Sequence, residues 1–257
     1  MSAYLASLAV APQISFPGGE QATLIVLRWI HIVAGVMWVG LLYFFNLVNF
    51  PFLQELDASQ RGAVVPKLMS RSMWWFRWSS LVTVLLGFAY WNHIVAENAR
   101  AAVSAGETAS AGRVIGSFVV IWTLAFAVEM GVLMSPAEAL RKGAVFGAIM
   151  AVVIVAAAYI FLAMNQQGWE SNQTLAIGIG GGLGWFMMFN VWGLVWRMQK
   201  RMIRWTEENA TKGTAMPAEA AKFARLTFLA ARLNFWVSFP MLFFMGASSH
   251  YFMFIGR

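Results

Sequence analysis

The sequence predicts an all-α fold, a polytopic transmembrane helical bundle of about six spans with both termini periplasmic. Three observations carry that expectation. Hydrophobic residues make up 60% and charged residues 11% of 257 positions, a mix unlike that of a soluble domain. The apolar residues gather in six runs of roughly 20 or more, the length a helix needs to cross a bilayer. Lys and Arg alternate between rich and poor connecting loops, as the positive-inside rule requires. Residues 1–257 therefore read as a single integral membrane domain.

In chain order, the short apolar segment 3–11 lacks a basic n-region, so it reads as an interfacial stretch and not as a cleaved signal peptide. Span one is expected at 23–49. Segment 50–78 begins with Phe50-Pro51 and contains Met73-Trp74-Trp75-Phe76-Arg77-Trp78. At a span entry such a cluster reads as an aromatic belt, with a quinone-headgroup or partner site as the alternative. Span two is expected at 79–97, followed by a small, polar, flexible outer loop at 98–113. Spans three and four, at 114–134 and 143–163, are joined by a short loop with Arg141 and Lys142. Span five, at 175–196, holds Gly178/Gly182 and Gly180/Gly184 at small-xxx-small spacing, which predicts close helix approach. Its glycines lack the strand–turn–helix context of a nucleotide fingerprint. Segment 197–232 is the largest cytoplasmic piece, with a break at Gly213. From Pro217 it reads as an amphipathic helix that can run into span six, at 235–255.

Charge sets the expected orientation. Fourteen of the 18 basic residues fall in the loops after spans one, three and five. The opposite side has Arg100, Arg113 and Arg257, and Arg28 lies inside span one. The rich loops are assigned to the cytoplasm of a bacterial inner membrane. The net charge of +7 is then topogenic, and no nucleic-acid role is needed to explain it. With no cysteine, covalent haem c attachment, Cys-ligated zinc and iron–sulfur clusters are excluded.

The candidate chemistry rests on three histidines. His31 lies within span one, roughly 12 Å from its outer start at helical rise. His93 falls near the outer end of span two and His250 near that of span six, so all three share the outer half. An ionisable residue in a span is a functional candidate by default. Two imidazoles facing each other across a bundle suit a bis-His haem b. His31 and His250 are the first-choice iron ligands, with His93 as the alternative and Met37, Met130 or Met187 as conceivable axial partners. Gly35, one turn from His31, would leave room for a macrocycle, and Trp38 would pack on its edge. Arg28 can pair a propionate or snorkel outward. The bland alternative for each histidine is a hydrogen bond to a neighbouring helix. Glu129 is the other intramembrane ionisable group, a candidate for proton relay or quinone contact, or else a carboxyl hydrogen-bonded to another helix. Asn46, Asn49, Asn190 and Asn234 are its candidate partners.

The segment Arg28-Trp29-Ile30-His31 through Trp38-Val39-Gly40-Leu41-Leu42-Tyr43-Phe44-Phe45-Asn46 resembles the first span of the urate oxidase N-terminal membrane family. Similar blocks recur at Met187-Met188-Phe189-Asn190-Val191-Trp192, at Arg232-Leu233-Asn234-Phe235-Trp236, and from Pro240 through His250-Tyr251. The looser His-x6-Trp-x-Gly pattern is also similar to the membrane type of protoporphyrinogen oxidase and to copper-resistance membrane proteins. The best-known family members join this domain to a C-terminal cytochrome c and act on urate. The resemblance implies electron transfer to a c-type cytochrome and marks His31, Trp38, Asn190 and His250. Because Arg257 follows span six directly, a separate cytochrome c or periplasmic dehydrogenase is expected to take the fused domain's role. The expected function is a haem b redox subunit passing electrons between that partner and the membrane, with quinone as a further acceptor. The alternatives are an oxidase or dehydrogenase of urate or a similar small molecule, and a haem-free structural subunit or transporter.

Overall fold

The computed structural model describes residues 17–251, Met253 and Phe254. The apolar segment 3–11 and Arg257 lie outside the described residues. Six helices are long and apolar enough to cross a membrane: α1 Gly19–Glu55, α2 Ala58–Ser104, α3 Ala111–Met134, α4 Gly143–Asn165, α5 Asn172–Lys212 and α6 Ala220–Ala247. No strand occurs among the described residues.

The expected spans are present, but several helices outrun their apolar stretches. Hydropathy ends where charge begins, whereas a helix continues until its backbone bonding is interrupted. Thus α2 begins at Ala58, where Asp57 and Gln60 form a reciprocal capping box: the Asp57 carboxylate accepts from the Gln60 amide at 2.8 Å and Gln60 Oε1 accepts from the Asp57 amide at 2.9 Å. It then runs to Ser104, so most of the loop expected at 98–113 is helical. Likewise α5 continues to Lys212 and ends at Gly213, whose φ of +67° suits a residue without Cβ. Close approach holds this extension to α2, because a Cβ on Gly62 would stand 2.6 Å from that of Ala210. The continuous helix expected from the amphipathic segment into span six is α6, which ends at Ala247. That is earlier than the expected 255.

Helix α5 is the most buried of the six, and its glycines explain how. A Cβ on Gly178 would fall 2.3 Å from the Phe161 ring of α4, and one on Gly182 would fall 1.8 Å from the Trp122 indole of α3. On another side, Gly180 faces the α6 backbone, where a Cβ would stand 3.2 Å from Met241 O. The expected close packing is present, and it seats aromatic side chains as well as a backbone. Trp122 Nε1 also donates to the Gly178 carbonyl at 3.2 Å.

Two helices contain a π-turn, α1 at Phe44–Asn49 and α5 at Val191–Val195. Beside the second, Trp192 Nε1 donates to the Arg77 carbonyl at 3.0 Å. The Arg77 guanidinium lies 3.9 Å from the Trp196 ring centroid and near Trp78 and Trp192, a cation–π cluster. Trp74 and Trp75 of the same aromatic stretch are exposed.

Candidate functional site

Helices α1, α2, α5 and α6 surround a mostly apolar cavity of about 550 Å³, within the size range of small-molecule and cofactor sites. Four residues singled out on α1 line it together: Arg28, His31, Gly35 and Trp38. Their i, i+3, i+7 and i+10 spacing puts them on one helix face, so this grouping was legible from sequence. Thr83, Gly87 and Trp91 of α2 form the facing wall, and Met241 and Met245 of α6 also contribute.

His31 is fixed on two counts. Its Nδ1 lies 2.7 Å from the Thr83 carbonyl oxygen. A carbonyl can only accept, so Nδ1 carries the proton, and in the neutral ring Nε2 retains its lone pair. Gly87 makes this position available, since a Cβ there would sit 2.6 Å from both His31 Cε1 and Nδ1. Such outer hydrogen bonding sets tautomer and ring orientation in metal-ligating histidines. Gly87, alone within the apolar run Val84-Leu85-Leu86-Gly87-Phe88, could have been read as a point of close approach. The Thr83 contact is to backbone and leaves no mark in the sequence.

The other histidines are elsewhere. His250 is exposed on the turn after α6 and does not line the cavity, although the preceding Ser248 and Ser249 do. His93 pairs with Glu20 Oε1 at 3.2 Å. Together with Glu97 these residues bring three potential ligand atoms within 4.8 Å of one another, while Glu97 also pairs with Arg100. Among the described lining residues His31 is thus the sole imidazole, and Met241 and Met245 supply thioethers.

Asn190 does not line the cavity either. It belongs to a second polar group with Glu129 and Asn234, all three essentially inaccessible. Asn190 Nδ2 donates at 2.9 Å to each Glu129 carboxyl oxygen and lies 3.0 Å from Asn234 Oδ1. Asn234 Nδ2 in turn donates to the Met187 carbonyl at 3.1 Å. Of the expected partners of Glu129, Asn190 is therefore in direct contact, and Asn234 is joined to it only through Asn190. The other two lie apart: Asn46 donates to the Leu42 and Ala231 carbonyls, and Asn49 to Met69 sulfur. One turn along α6 from Asn234, Ser238 Oγ donates to the Phe235 carbonyl at 2.7 Å and lies 3.2 Å from Tyr43 Oη, from which it can accept. Tyr43 lines the cavity.

The family model described as urate oxidase N-terminal matches residues 57–257, and the chain belongs to that family. The match takes in the resembling blocks of α5 and α6, while the Arg28–Asn46 block precedes it. Neither the comparison with curated proteins nor that with solved structures returned a match.

Proposed function

We propose that this member of the urate oxidase N-terminal family is a multi-pass inner-membrane redox subunit that holds haem b in the cavity beside His31. The observation that carries the reading is the fixed imidazole: Nδ1 is committed to the Thr83 carbonyl, and Nε2 is left with its lone pair at a cavity of about 550 Å³. The residues present fit the group. His31 would hold the haem iron, Gly35 would leave room for the ring, and Arg28 would pair a propionate. The second ligand would be His250, brought in by the turn whose Ser248 and Ser249 already line the cavity, or the thioether of Met241 or Met245. Bound haem would supply one-electron redox capacity.

The protein's own residues account for the rest. The cavity walls are mostly apolar, and the Thr83 carbonyl holds the imidazole to one tautomer. Glu129, held in place by the Asn190 amide, would take up and release a proton at a carboxyl oxygen. The Lys and Arg distribution supports both termini being periplasmic. In that orientation Arg28, Gln173 and Ser249 lie on the periplasmic side, where a c-type cytochrome or dehydrogenase would dock. Electrons would then pass between that partner and the membrane, with quinone as acceptor.

A second reading is favoured by one feature. Arg28 and Gln173 line the same cavity as Trp38, Phe88 and Trp91, a set that suits a planar, anionic, oxidisable heterocycle such as urate. The visible spectrum of the purified protein separates the two. The haem reading expects b-type absorbance that His31→Ala abolishes or shifts and His93→Ala leaves alone. A folded protein without such absorbance, binding urate in an Arg28-dependent manner, would establish the second reading instead.

A further inference from the structure

At the other end of α6 from the cavity, four cations meet around the start of α4. Arg141, Lys142, Lys222 and Arg225 line a pocket of about 680 Å³ that contains one carboxylate, Glu138. None of the four is ion-paired among the described residues. Lys142 precedes α4 without a side-chain cap, and the first turn of α4 contains no acidic residue. The first amides of α4 therefore lack intrahelical acceptors and present the positive end of the helix dipole. Arg225 lies over that end: its Nη2 is 3.9 Å from where a Cβ on Gly143 would be, and it donates to the Arg141 carbonyl at 3.0 Å. Positive charge is thus concentrated at an uncapped helix start with one carboxylate to offset it.

We propose that this pocket binds a phosphate-bearing anion, and that its source is the headgroup of an anionic phospholipid. Phosphate oxygens would accept from the α4 amides and from the guanidinium groups of Arg141 and Arg225, with Lys142 and Lys222 adding charge. The lipid source follows from the apolar surroundings. Met134 and Leu226 also line the pocket, and Met134 and Val145 are exposed beside it at the ends of two spans. Acyl chains of a lipid held by its headgroup would cover them. Basic pockets between spans recognise lipid headgroups in this way.

The test uses the full-length protein in detergent, with retention of phosphatidylglycerol against phosphatidylcholine read by native mass spectrometry. Phosphatidylglycerol should be retained preferentially, and Arg141→Ala or Arg225→Ala should each weaken it about fivefold. Lys212→Ala, which removes an exposed cation outside the pocket, should leave retention unchanged. An equal loss in Lys212→Ala, unaltered retention in both pocket variants, or no preference between the lipids would overturn the proposal. Inorganic phosphate provides the second arm and should fail to displace the lipid. If it displaces the lipid and its own binding is lost in the pocket variants, the ligand is free phosphate and the lipid assignment falls.

Discussion

Replacing Gly87 by Ala tests whether α2 fixes His31. The new Cβ would stand 2.6 Å from His31 Cε1 and Nδ1, whereas carbon atoms rest at about 3.5–4.0 Å. The ring must therefore retreat by roughly 1 Å, which takes Nδ1 beyond hydrogen-bond range of the Thr83 carbonyl. Overpacking of this kind costs about 1–3 kcal/mol, and the lost bond adds about 0.5–1.5 kcal/mol. Gly116→Ala is the matching control, because a Cβ there meets nothing within 4 Å and alanine favours the helix. With only three histidines in the chain, ¹⁵N labelling of histidine reads each ring directly. Gly87→Ala should lower the thermal midpoint in detergent and shift the His31 nitrogen signals while leaving those of His93 and His250 in place. An unchanged His31 spectrum with unchanged stability would refute the account of how this imidazole is held.

Two further outcomes test the interior. Gly182→Ala would bring a methyl within 1.8 Å of the Trp122 indole, whose Nε1 also donates to Gly178. It should destabilise the bundle by at least the ~3 kcal/mol at the top of the overpacking range, more than Gly184→Ala, whose nearest neighbour is at 3.7 Å; comparative thermal melts decide this. Asn190→Ala removes the donor to both Glu129 oxygens and to Asn234. A loss of roughly 1–3 kcal/mol is expected for the buried acceptors left behind. Asn190→Asp with Glu129→Gln, which restores an amide–carboxyl pair, should recover part of it in a double-mutant cycle.

Much of the architecture was legible because lipid imposes simple rules. The length of apolar runs located six spans, and the spacing of Gly178, Gly180, Gly182 and Gly184 identified the helix that others approach closely. The site was legible on one helix and obscure between helices. Arg28, His31, Gly35 and Trp38 share a face by periodicity alone. Their counterparts are a backbone carbonyl, a glycine that is defined by what it makes room for, and two ordinary-looking methionines, Met241 and Met245. Depth was the coarser guide. It grouped three histidines by level in the membrane, but level does not specify which way a side chain turns. His93 was drawn to Glu20, and α6 ends before His250 is reached. Sequence offers four asparagines as partners for Glu129, and which of them reaches it, Asn190, depends on how α3 and α5 pack.

The two π-turns have a consequence for the molecule's evolution. Each accommodates an additional residue without breaking the helix, and one residue corresponds to about 100° of rotation about the axis. In α1 the turn lies just past the cavity-lining face, and in α5 just past Asn190. The stretches on either side of a π-turn can therefore be oriented separately, the cavity half keeping its facing set while the far half turns independently. Insertions and deletions confined to Phe44–Asn49 or Val191–Val195 would re-aim one storey of the protein and spare the other. Elsewhere in these helices, a change of one residue would rotate His31 or Asn190 away from its partners.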